Sequence, residues 1–181
     1  MERFLPAAAG RGRRYNQQIR VFKSRLFLIS VLKSLADFQR LIPNTALEPL
    51  GAEVVSVDEK GLTLRMPITK AALQPFGLLH GGISLLLAES AASMHSAWGI
   101  NPEEVIPVGI EINGSHLRSA TSGHVIATAR VLRRSQALAV HSVAIIHEET
   151  QNQLCECRVT NYYKRIARPQ GSGSPEGAAG N

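Results

Sequence analysis

Glu89 sits in the middle of SLLLAESAASM, a run otherwise made of apolar and small residues. An unpartnered buried carboxylate costs several kcal/mol or becomes neutral, so a helix that keeps one needs a reason. Upstream stand Gln74, Gly77 and the triplet His80-Gly81-Gly82, where a loop becomes a helix. The first N–H groups of a helix have no partner within it and carry its positive end. Gly81 and Gly82 could therefore hold an anion or a developing oxyanion, or provide a tight turn needed for packing. Glu89 lies about two turns further along on the side of Gly82, where it could attack a carbonyl held at the helix start or activate a water, or be a solvated helix residue. No Lys or Arg at nearby helical positions supplies a local ion pair. His80, read alone, is a hydrogen-bonding loop residue before it is an acid or base, and Ser93 is a candidate hydroxyl or a small packing residue.

The elements that must position these groups follow from periodicity. Residues 1–14 carry no apolar period and read as a disordered basic tail. Residues 15–45 read as an amphipathic helix on Ile19, Phe22, Leu26, Ile29, Leu32, Leu35, Phe38 and Leu41, ending before Pro43. From Ala52 the period becomes two, which predicts a hairpin turning at Asp58-Glu59-Lys60-Gly61. A loop with Pro75 leads into a helix from about Gly81 to Gly99, with Ile83, Leu87, Ala91, Met94 and Trp98 toward the sheet and Gly82, Glu89, Ser93 and Ser96 toward a cleft. Four strands follow, at about 106–117, 123–133, 138–148 and 153–166, whose short polar joints predict an antiparallel meander. Residues 46–166 thus read as one α+β domain, a single antiparallel sheet with its apolar face laid on the long helix, and residues 167–181 read as a flexible tail.

Composition narrows the function classes. The 181 residues carry a formal charge of +6. Eight of the basic residues (Arg3, Arg11, Arg13, Arg14, Arg20, Lys23, Arg25, Lys33) precede residue 34, against Glu2, so the domain itself is nearly balanced. This argues against a nucleic-acid-binding face on the domain. No apolar run approaches the ~20 residues of a membrane-spanning helix. Cys155 and Cys157, the only cysteines, read as reduced thiols on one face of a strand, favouring a reducing, cytoplasmic setting.

Read together, Gln74, Gly77, His80-Gly81-Gly82, Glu89-Ser90 and Ser93, with the later GIEINGSHLRSATSG, resemble the hotdog-fold acyl-CoA thioesterases over about Leu47 to Tyr163. The branch is that of 4-hydroxybenzoyl-CoA and 1,4-dihydroxy-2-naphthoyl-CoA thioesterases. The resemblance implies Glu89 as nucleophile or general base, the Gly81 N–H as the donor polarising the thioester carbonyl, Gln74 placing thioester or water, His80 supporting the loop, and Ser93 as a hydroxyl contributed across a subunit boundary. It implies Gly82 and His116 near the substrate, with Arg118, Arg133, Arg134 and Ser135 as candidate contacts to CoA phosphates; each arginine could equally be a solvated strand-end charge. Glu rather than Asp at position 89 points to an aroyl-CoA rather than a phenylacetyl-CoA substrate. Where the family often has an aromatic residue in the strand after this turn, this chain reads ALAVHSVAI. No metal or cofactor is expected, coenzyme A being part of the substrate, and a homodimer assembling to a homotetramer is expected. The competing expectation is a non-catalytic acyl-CoA-binding regulator whose basic amino-terminal segment touches DNA.

Overall fold

The computed structural model describes residues 31–166. The amphipathic helix expected over 15–45 is helical there only as α1, Leu35–Gln39; residues 15–30 lie outside the described residues. Ser34 sets its start: the hydroxyl accepts from the Asp37 N–H and the Asp37 carboxylate accepts from the Ser34 N–H, a reciprocal cap. Asn44, at φ 60°, and Pro43 then bar helical continuation. The apolar spacing still has a use, because Phe38 is fully buried and stacks on Trp98 with ring centroids 6.1 Å apart.

The strands β1 (Glu53–Val57), β2 (Gly61–Pro67), β3 (Val105–His116), β4 (His124–Arg134), β5 (Leu138–His147) and β6 (Gln153–Arg165) form one antiparallel sheet in the order β1-β2-β4-β5-β6-β3. The hairpin falls where expected, its turn tied by Asp58 Oδ1 accepting from the N–H groups of Lys60 and Gly61. The four-strand meander needs correction: β4, β5 and β6 are one, but β3 pairs with β6 at the far edge. The long helix α2, Gly81–Ser96, crosses the sheet and delivers the chain to that edge. Residues 117–123 can carry it back, since extended chain covers up to ~3.3 Å per residue.

The sheet curls around α2, burying Leu62, Leu64, Met66, Val125, Ala127, Ala129, Val143, Ile145 and Val159 against Leu87, Ala88, Ala91 and Ala92. Alanines at the contact let the strands approach the helix closely. The buried face of α2 also takes in Ser84, His95 and Ser96. Ser96, expected to face a cleft, is instead inside: its hydroxyl donates to the Ala92 carbonyl, and its own carbonyl accepts from the Tyr163 hydroxyl. The buried Ser96 hydroxyl and carbonyl are both paired, as buried polar groups generally are. Cys155 and Cys157 are free and buried with their sulfurs 3.4 Å apart, and burial pushes the Cys157 thiol up to about 12. Among the described residues no helix is long and apolar enough to cross a membrane.

The least expected core feature is a pair of fully buried imidazoles, His95 on α2 and His141 on β5. His95 Nε2 lies 2.9 Å from the Asp58 carbonyl, so it carries the proton, and His95 Nδ1 accepts from His141 Nε2 at 2.9 Å. His141 Nδ1 is then a lone pair with no partner. Burial pushes both imidazoles down, His141 to about 3, with its neighbours His95 and Arg134 adding to the effect. Both stay neutral in the folded chain at pH values where an unfolded histidine takes a proton. Stability is therefore complete above about pH 6.5 and declines as pH falls below it, His141 contributing a loss of up to ~1.4 kcal/mol per pH unit down to about pH 3 and His95 a loss of the same sign. Urea midpoints between pH 7.5 and 4.5 should show this slope, and His141→Gln should flatten its acid limb.

Candidate active site

The loop before α2 is folded by its own residues. Gln74 opens a turn in which its carbonyl accepts from the Gly77 N–H and its N–H donates to the Leu78 carbonyl. Gly77 takes φ +79°, a conformation glycine adopts without penalty. The Gln74 side-chain oxygen accepts from the Phe76 N–H. Its acceptor is thereby occupied, and the NH₂ is what remains to meet a ligand.

His80 is the N-cap of α2: its Nδ1 accepts from the Gly82 N–H at 2.8 Å, so the ring proton sits on Nε2. Gly82, expected near substrate, thus has its N–H engaged by His80. The Gly81 N–H meets no acceptor among the described residues. It stands at the positive end of a 16-residue helix. His116, from the end of β3, closes on this point; a Cβ on Gly81 would lie 2.7 Å from His116 Nε2. The missing side chain therefore admits the imidazole and leaves the N–H open.

Gln74, Gly81 and His116 line one cleft of about 500 Å³, together with Leu78, Leu79, Ser84, Leu117, Arg118, Ser119 and Leu154. The lining mixes hydrogen-bonding groups with four leucines, an arrangement suited to a carbonyl compound with an apolar substituent. Arg118 keeps one Nη1 bond to the Gln153 carbonyl at 3.2 Å and is otherwise exposed.

Glu89 and Ser93 lie elsewhere on α2. Glu89 is exposed, with its carboxylate resting over Gly109 of β3. The Ser93 hydroxyl donates to Asn161 Oδ1 at 2.9 Å. At the helical rise of 1.5 Å per residue, Glu89 is about 12 Å along the axis from Gly81. That is the two turns expected from the sequence, and it is too far for the carboxylate to reach a carbonyl held at its own helix start. Arg134 is exposed, and its guanidinium donates to the carbonyls of Trp98 and His95, closing the C-terminal end of α2. Ser135 is likewise occupied within the β4–β5 turn, accepting from the Ala137 and Leu138 N–H groups. Arg133 adjoins them on β4 and is exposed. All three are about a helix length from Gly81 in the same chain. Sequence reasoning missed Ser84, Leu117, Leu154, Gly109 and Asn161; only the period-two alternation of β6 hinted that Asn161 shares a face with Cys155, Cys157 and Val159.

The sheet curled on one helix is an architecture shared with solved thioesterases. The Thioesterase superfamily model matches residues 76–153. The chain is 40% identical over 118 residues to the 1,4-dihydroxy-2-naphthoyl-CoA hydrolase of Listeria monocytogenes, covering 65% of this chain and 94% of that protein. It is 34% identical over 129 residues to the proofreading thioesterase EntH of Klebsiella pneumoniae, covering 70% and 90%. A crystal structure of a mutant thioesterase from Pseudomonas aeruginosa superposes with TM-score 0.70 at 32% identity, covering 74% of this chain and 95% of that one. The chain belongs to the thioesterase superfamily and has the hotdog fold. It is a thioester hydrolase.

The two arginine assignments separate experimentally. Arg134→Ala removes two hydrogen bonds from the end of α2 and should cost about 1–3 kcal/mol of stability, read as a lower urea midpoint with KM close to wild type. Arg118→Ala should instead raise KM for a CoA ester and leave the midpoint in place.

Proposed function

We propose that this enzyme hydrolyses an aromatic acyl-CoA thioester to the free acid and CoA, with the Gly81 N–H polarising the carbonyl and Glu89 as nucleophile or general base. The observation that carries this reading is the unsatisfied Gly81 N–H inside the cleft. A donor fixed in place costs no reorganisation when charge develops on the carbonyl oxygen. The NH₂ of Gln74 and the His116 ring flank the same point, and Leu78, Leu79, Leu117 and Leu154 offer apolar surface to an acyl group. The Listeria relative's name, an aroyl-CoA hydrolase, supports the aromatic substrate, as does Glu rather than Asp at position 89.

The separation of about 12 Å between Gly81 and Glu89 along one helix requires that two copies complete each site. The carbonyl held at one copy's Gly81 is attacked under the control of the other copy's Glu89. Strand β3 supports the pairing: it is a sheet edge with Val108 and Ile110 39% and 58% exposed, which a second β3 would cover. Two such dimers form the tetramer. As nucleophile, the Glu89 carboxylate adds to the thioester carbon, CoA leaves as its thiolate and is protonated, and water cleaves the resulting anhydride. As base, Glu89 takes a proton from the water that adds directly. Both routes consume one water and release one acid and one thiol, and neither calls for a metal or prosthetic group because the thioester is already activated. His80 holds the loop, and Arg118 and Arg133 are the arginines left to meet CoA phosphates. The thiols suit a cytoplasmic setting.

Glu89→Gln should lower kcat by about 10²–10⁴ toward an aroyl-CoA while KM changes little, measured by thiol release with a panel of aroyl-, phenylacetyl- and fatty acyl-CoA esters. Wild-type turnover of every ester by this variant would sink the reading, and sedimentation as a monomer would remove the shared site.

A further inference from the structure

Glu89 has no ion-pair or hydrogen-bond partner among the described residues, yet its carboxylate is in a defined place. A Cβ on Gly109 would lie 2.6 Å from Glu89 Oε1 and 3.9 Å from Asn161 Oδ1. The two side chains therefore flank one notch, left open because position 109 has no side chain. Gly109 and Asn161 are also direct partners in the β3–β6 ladder, and the ladder slips immediately after Gly109, between Gly109 and Glu111. Asn161 is fully buried. Its Oδ1 accepts from Ser93, one turn along α2 from Glu89, and its Nδ2 finds no partner among the described residues.

A buried carboxamide with an idle donor beside a carboxylate with idle acceptors is a specific complementarity. Half a turn about the terminal torsion of Asn161 exchanges its oxygen and nitrogen. The NH₂ then faces the notch and Ser93, and the Ser93 hydroxyl is released from its role as donor to Asn161.

We propose that Asn161 and Gly109 are positioning residues for the reaction, forming a cradle that aims the Glu89 carboxylate: Gly109 leaves the room, and the Asn161 NH₂ holds the carboxylate and Ser93 in it. This rests on the reading of Glu89 as the reacting carboxylate. The cradle acts on orientation, so it should govern kcat and leave substrate affinity alone.

Gly109→Ala tests it without threatening the fold, because position 109 has an ordinary φ and the added methyl crowds only the flexible end of Glu89, its 3.9 Å approach to Asn161 Oδ1 being ordinary contact. The expected result is a fall in kcat of about tenfold or more with KM within about twofold and an unchanged melting temperature. Asn161→Asp keeps the acceptor for Ser93 but replaces the donor by a second carboxylate. Its expected result is a lower kcat at neutral pH and an acid limb of kcat/KM moved up by about one pH unit. If Glu89→Gln destroys turnover but Gly109→Ala keeps wild-type kcat, the cradle is wrong and the reading of Glu89 stands. A Gly109→Ala loss confined to KM or melting temperature overturns it equally, and Asn161→Asp with a wild-type acid limb removes Asn161 from it. If Glu89→Gln itself retains turnover, the underlying reading fails instead.

Discussion

One backbone N–H, that of Gly81, is left without an acceptor among the described residues at the start of α2, and much of the molecule serves to keep it so. The helix would normally offer several open donors there. His80 removes three, its ring accepting from the Gly82 N–H and its carbonyl from the Ile83 and Ser84 N–H groups, which leaves a single directed group. The Gln74–Gly77 turn holds the approach on one side, and His116 closes the other because Gly81 has no side chain to exclude it. The sheet then fixes α2 by wrapping its alanine face, so that the donor cannot drift with respect to the cleft.

The opposite end of α2 is held by a different kind of contact. Arg134 ties down the last carbonyls, and the neutral His95–His141 pair joins α2, β5 and the β1–β2 turn through a chain of hydrogen bonds. The positive end of the helix is thus left open for chemistry and the negative end is neutralised by a cation. This explains why an arginine that resembles a phosphate contact in the sequence is used for structure.

Between these ends, Glu89 meets the edge strand rather than the sheet interior. Strand β3 carries Gly109, against which the carboxylate rests, and among the described residues presents an unpaired outer edge with exposed Val108 and Ile110. In the proposed dimer the strand that seats the carboxylate is also the strand that would pair with the second copy. Distance along the helix, which separates Glu89 from the donor in its own chain, and the open edge point to the same arrangement.

Much of this was legible in the residues themselves. Period two for the strands, the Asp58–Gly61 turn and the loop-to-helix boundary at Gly81 are all local in sequence, and local backbone preferences and hydrophobic period express them directly; the roles of Gln74, His80, Gly81, Glu89 and Ser93 came from the family resemblance. Only the tertiary structure decided that β3 lies beside β6, that Ser96 and two histidines are buried, that Arg134 and Ser135 are engaged, that His116 reaches Gly81, and that Asn161 stands beside Glu89. Each of these depends on which strand comes to lie next to which. Pairing is settled by how the whole sheet closes over α2, a condition that no window of sequence contains.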